Sequence, residues 1–97
     1  MLSEILNAFR KPISYQQLTV STSAVGLTVP SGAQRAVVVV EAQPLRYRDD
    51  GTNPTASVGM LCVAATRFDI ESREALLAFK AIRSGGTDSV LSISYYK

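Results

Sequence analysis

Four valines in succession, Val37–Val40, sit inside the segment Arg35-Ala36-Val37-Val38-Val39-Val40-Glu41 and narrow the choice of local structure more than any other feature. β-Branched side chains lose rotamer freedom in a helix and pack well on a pleated surface. A continuous run of them, without polar alternation, predicts a strand buried on both faces in the middle of a sandwich. A chain built around such a strand must supply further strands to cover it, and Pro44 separates it from the next one.

The rest of the sequence supplies them. Ser14–Val20 carries β-favouring residues in partial alternation, and Val25, Leu27 and Val29 point one way until Pro30-Ser31-Gly32 forces a turn. In Leu45–Arg48, Leu45 and Tyr47 share one face while Arg46 and Arg48 share the other. Asp50-Gly51 is a turn signal, because glycine supplies positive φ and aspartate caps the turn through its side chain. Pro54 fixes the return, and the apolar run Val58–Ala65 predicts another strand, with Gly59 as a bulge position. Phe68 and Ile70 alternate with Arg67, Asp69 and Glu71. Ser72–Leu77 predicts one helical turn with serine as N-cap, followed by a strand over 78–83 and the turn Ser84-Gly85-Gly86. Leu91, Ile93 and Tyr95 share one face of a closing strand.

Residues 1–11 follow a different period. Leu2, Ile5, Leu6 and Phe9 have the i, i+3, i+4, i+7 spacing of one helical face, with Arg10 and Lys11 near the negative end of the dipole and Pro12 as a stop. So short a helix needs something to dock on. Either it packs on the chain's own core or it grips a neighbouring subunit. The expected architecture is all-β, an antiparallel β-sandwich of jelly-roll or immunoglobulin-like type over residues 12–97, preceded by a short N-terminal helix forming an arm over residues 1–11.

A chain of 97 residues makes one domain with little stability to spare, so a homo-oligomer is the natural supplement. A net charge of +2, with its arginines dispersed, gives no footprint for nucleic acid. The longest apolar run falls far short of the roughly 20 residues of a spanning helix, and no signal-peptide pattern opens the chain, so the expectation is a protein made in the cytoplasm and free of the membrane. Cys62, the single cysteine, reads as a small buried hydrophobe between Leu61 and Val63.

The absence of histidine removes the common zinc and copper sites and every Ser-His-Asp or Cys-His arrangement. No phosphate-binding glycine loop is present, since Ser84-Gly85-Gly86-Thr87 lacks the lysine and the spacing. Asp49 and Asp50 are adjacent and would point to opposite faces of a regular strand, which unsuits them to paired acid–base work. The sequence therefore predicts neither an enzyme nor a cofactor. It offers instead a concentrated group, Arg46, Tyr47, Arg48, Asp49 and Asp50, with two readings. The arginines clasp aspartate or carbonyl oxygens and lock the following loop, or the group meets another subunit, since arginine and tyrosine favour interface centres. A sugar-binding face built on Tyr47, Tyr95 and Tyr96 is a third, weakened by the lack of tryptophan.

The segment Arg46-Tyr47-Arg48-Asp49-Asp50-Gly51-Thr52, with Pro54-Thr55-Ala56 and Gly59-Met60, resembles a motif in small structural proteins of tailed bacteriophages. The likeness continues at Phe79–Arg83 and Leu91–Tyr96. The resemblance implies a β-sandwich virion component, assembled in the host cytoplasm. Most directly it implies a capsid decoration (cement) protein that binds the major capsid protein on the head lattice, with residues 2–9 as a staple. The alternatives are a neck, collar or tail ring component bound to portal-associated proteins, and a carbohydrate-binding module for host attachment. The helix-prone segment 66–77 departs from the family pattern.

Overall fold

A computed structural model describes residues 11–97. The helix expected at Leu2, Ile5, Leu6 and Phe9 lies outside the described residues. Eight strands follow in order: β1 (Pro12–Val20), β2 (Val25–Gly26), β3 (Arg35–Ala42), β4 (Leu45–Arg48), β5 (Met60–Cys62), β6 (Arg67–Ile70), β7 (Lys80–Arg83) and β8 (Ser89–Tyr96). One short helix, α1 (Arg73–Ala78), lies between β6 and β7.

The strands form two antiparallel sheets of four, ordered β1-β8-β3-β6 and β2-β7-β4-β5. Every early strand therefore neighbours its mirror partner from the late half of the chain: β1 with β8, β2 with β7, β3 with β6, and β4 with β5. In the first sheet β8 is central, with Ile93 opposite Gln16 on one side and Val38 on the other. Pairings so distant in sequence mean that no short stretch of the chain can form this sheet alone.

One apolar cluster takes side chains from both sheets. Val38, Val40, Leu91, Ile93 and Tyr95 come from the first, Leu45, Cys62 and Ala81 from the second. Period-two alternation puts them there: β8 alternates fully between buried and half-buried positions from Ser89 to Tyr96. The valine run behaves the same way, which corrects the expectation of burial on both faces. Ala36, Val38 and Val40 are fully buried, whereas Val37 and Val39 are only half-buried. Among the described residues no third layer covers the outer face of their sheet, so neighbouring strands shield those side chains only in part.

The passage from the first sheet to the second occurs at Gln43, whose φ of 55° is in the left-handed region. The buried hydroxyl of Ser89 lies 2.5 Å from the carbonyl oxygen of Ala42 and 2.7 Å from that of Gln43, and its single proton serves both. This satisfies carbonyls that the crossing would otherwise leave unpaired. The helix at 73–78 starts as the sequence predicts. Ser72 Oγ accepts from the Ala75 N–H at 3.2 Å, and Leu76 fills the core from the buried side. Phe79 leaves the helix in an extended conformation (φ −62°, ψ 131°) and is fully buried, so it begins the approach to β7 instead of extending α1. Arg73 Nη1 donates to the carbonyl oxygens of Pro30 and Ala33, both at 3.0 Å, tying the helix to the turn at Gly32.

Candidate functional site

The strand β4 presents two different faces, as its alternation predicts. Leu45 is fully buried, and Tyr47 turns inward to stack on Phe68, with ring centroids 4.7 Å apart and planes within 4°. Phe79 completes the group at 5.2 Å from Tyr47 and 6.2 Å from Phe68. Because Phe68 belongs to the first sheet and Tyr47 to the second, this stack ties the sheets together beside the loop that follows β4. Burial pushes the Tyr47 phenol above its ordinary pKa, with smaller contributions from Cys62 and Asp49. Burial likewise raises the Cys62 thiol, leaving it a poor nucleophile.

The opposite face holds the two arginines, and they do different things. Arg46 donates from Nε to the Ala56 carbonyl at 3.1 Å and from Nη1 to the Gly59 carbonyl at 2.9 Å. One guanidinium thus grips two backbone oxygens at the far end of the loop, a task suited to its planar fork. Arg48 reaches only two residues ahead and forms a two-pronged pair with Asp50, Nε to Oδ1 at 3.1 Å and Nη2 to Oδ2 at 2.5 Å. Hydrogen bonding from Arg48, then from the Thr52 N–H, holds the Asp50 carboxyl below its ordinary pKa. The same bond raises Arg48.

Between these anchors the loop is built from residues that each meet a local need. Gly51 has φ 85° at the turn after Asp50, and Asp50 Oδ1 accepts from the Thr52 N–H at 3.3 Å. Thr55 Oγ1 accepts from the Val58 N–H at 2.9 Å, and Thr55 and Val58 also exchange backbone hydrogen bonds. Pro54 is buried beneath the return. Gly59 has φ 143°, and a Cβ placed there would lie 3.1 Å from each of Arg46 Cβ, Pro54 Cβ and the Tyr47 carbonyl oxygen. Only glycine fits against β4 at that point without displacing backbone.

The five residues singled out in the sequence thus separate into three roles. Arg48 and Asp50 pair, Arg46 holds the loop end, and Tyr47 leaves for the core. Asp49 lies with Arg48, Asp50, Val58, Gly59 and Met60 around an open cleft of about 270 Å³. Among the described residues, no three of Asp, Glu or Cys group closely enough to hold a metal ion. Phe68 and Phe79, which support Tyr47, carry no local sequence signal, because their meeting depends on how two sheets stack.

Beyond the cleft the apolar run after Pro54 corrects a second expectation. Only Met60–Cys62 is strand, and of these only Cys62 is buried. Val58, Met60, Leu61 and Val63 are exposed by 54–61%. The reason is position: β5 lies at the edge of its sheet, with β4 as its one paired neighbour among the described strands.

A second cluster stands at the edge strand β6. Arg35 donates to Asp69 Oδ2 at 2.7 Å and Glu71 Oε1 at 3.1 Å, with its guanidinium 5.5 Å from the centre of the Tyr96 ring. A third joins Ser21 and Arg83 on Asp88 Oδ1, at 2.8 and 2.6 Å. Both tie strand ends together across long stretches of sequence. Compared with family models, curated proteins and solved structures, the chain matches none.

Proposed function

We propose that this chain is a structural component of a tailed-bacteriophage virion, specifically a capsid decoration protein that binds the outer head lattice as a homo-oligomer. One observation carries the reading. Within the motif through which the chain resembles that family, polar residues brace one surface loop at both ends, with Arg48 clasping Asp50 at its start, Arg46 clasping Ala56 and Gly59 at its return, and Gly59 packed close to Pro54. A motif devoted to fixing the shape of a surface loop suits a protein whose work is to fit another surface. Binding to an assembled lattice stabilises whichever state is bound.

In this reading the two sheets form a β-sandwich of jelly-roll type. The mirror pairing of early with late strands supports it, since rolling up one long hairpin of four strands a side produces that order. The fold alone does not select the function, because jelly rolls serve capsids, lectins and enzymes alike.

Gold-tagged antibody to the chain, applied to purified virions and viewed by electron microscopy, tests the role. Label over the whole head is expected. Label confined to the neck or tail would replace decoration by a ring component, and unlabelled virions would remove the virion role. Deleting residues 1–11 is expected to abolish head binding with the β domain still folded. Full binding by the truncated chain would discard the staple.

A further inference from the structure

Asp50-Gly51 is the one place in the chain where an aspartate or asparagine precedes a glycine. That pairing carries a chemistry of its own. The backbone nitrogen of the following residue can attack the side-chain carboxyl carbon and close an imide ring, and glycine, lacking Cβ, hinders the approach least. Other positions in the described chain are less open to it. Asn53 precedes Pro54, which has no N–H to give up. Asp69 and Asp88 precede Ile70 and Ser89, both held in paired ladders.

At Asp50-Gly51 the fold leaves the nucleophile open and restrains the electrophile. Residues 49–53 are exposed, and a Cβ at Gly51 would meet nothing within 4 Å. Among the described residues the Gly51 N–H has no acceptor. The carboxyl is held instead. Arg48 Nε takes Oδ1, Arg48 Nη2 takes Oδ2, and the Thr52 N–H adds a second bond to Oδ1. Ring closure needs a neutral carboxyl, so that its hydroxyl can leave, and one free to turn its carbon toward the Gly51 nitrogen. A fork on both oxygens opposes each requirement, by favouring the carboxylate and by fixing its plane. It does so where an exposed ion pair adds little to stability.

We propose that Asp50-Gly51 is an isoaspartate-forming site and that the Arg48 fork is what slows the reaction. The Gly51 nitrogen forms a bond to Asp50 Cγ, and the carboxyl hydroxyl leaves with the amide proton as water. Water then reopens the imide. Breaking the bond from nitrogen to Cγ restores aspartate, whereas breaking the bond from nitrogen to the main-chain carbonyl carbon gives isoaspartate. No oxidant or co-reactant other than water is needed, and the mass is unchanged. The product lengthens the main chain by one methylene and shifts the carboxylate, so the fork cannot re-form as before and the loop between the two clasps changes shape. This chemistry is independent of any virion role.

The full chain, incubated at neutral pH and digested with trypsin, yields the peptide 49–67, whose isomers separate by chromatography and are placed by fragment ions. Wild type should form isoaspartate at residue 50 more slowly when folded than in urea. Folded Arg48→Ala should exceed folded wild type by about two- to fivefold, the factor an exposed ion pair is worth, and the two should match in urea. Arg46→Ala, which frees the far end of the loop and leaves the fork in place, should stay closer to wild type. Should Arg48→Ala not fold, Arg48→Lys, which keeps the charge without the fork, should still exceed wild type. No isoaspartate at residue 50 in any sample would remove the site. Equal rates for folded wild type and the Arg48 variant, a difference that persists in urea, or equal acceleration by Arg46→Ala would remove the role of the fork.

Discussion

The two sheets are built from one chain and face one core, yet they differ in nearly every other respect. The first has three strands of eight or nine residues, and its central strand buries a side chain at every second position. The second has strands of two to four residues, and its outermost strand exposes most of its apolar side chains. Long antiparallel ladders make the first sheet a scaffold. Short strands, a braced loop and exposed apolar side chains set the second apart. The contrast places most of the stability in the first sheet, and it can be attacked from either side.

The harshest attack removes what joins them. Phe79→Ala empties a fully buried site against Tyr47 and Phe68, and should cost about 3–5 kcal/mol in a urea unfolding series. Leu61→Ala on the edge strand β5 should stay within about 0.5 kcal/mol. Comparable losses at the two positions would erase the distinction between scaffold and surface.

The scaffold also predicts an alkaline limit. Burial pushes the Tyr95 phenol from 10.0 up to about 12, while its O–H donates to Gln16 Oε1 at 2.6 Å. A tyrosine whose pKa is raised on folding contributes in full below pH 10 and loses that contribution as pH climbs toward 12. The loss over that window should be about 3 kcal/mol. Tyr95→Phe should flatten the decline, measured as urea midpoints against pH. An unchanged slope would mean that other groups set the alkaline limit.

Within the surface region the two arginines sharpen the comparison. Arg46→Ala leaves the Ala56 and Gly59 carbonyls without their donor and should cost about 2 kcal/mol by thermal melt, with faster hydrogen exchange over the loop. Arg48→Ala removes a solvent-facing pair and should leave the midpoint in place. If the Arg48 variant proved the weaker, the Asp50 fork and not the carbonyl clasp would hold the loop. Acid should act most gently, through Asp50 here and through Asp88 in its cluster with Ser21 and Arg83. Asp50, held below 3.8 by Arg48 and Thr52, and Asp88, held below it by Ser21 and then Arg83, contribute above that pH and lose their contribution as pH falls through their folded values. Asp50→Asn should remove its part of that acid dependence.

Much of this was legible one segment at a time. The alternation in Leu45–Arg48 placed Tyr47 inward and the arginines outward, Asp50-Gly51 announced its turn, and Ser72 announced the start of α1. Each is a local preference, carried by a few neighbouring residues and expressed wherever those residues end up. The valine run and the stretch Val58–Ala65 look alike by the same local test, and here local reading fails. Val38 is fully buried and Leu61 is more than half exposed. What separates them is the place of a strand in its sheet, a centre in one case and an edge in the other. Likewise, which carbonyls Arg46 would reach, and that Phe68 and Phe79 would close on Tyr47, depend on partners tens of residues away. The sequence by itself determined where the chain extends, turns and begins a helix, because those choices are made by backbone sterics and side-chain alternation. Only the tertiary structure decided which apolar strand is core and which is surface, because burial belongs to the neighbours a strand acquires and not to its own residues.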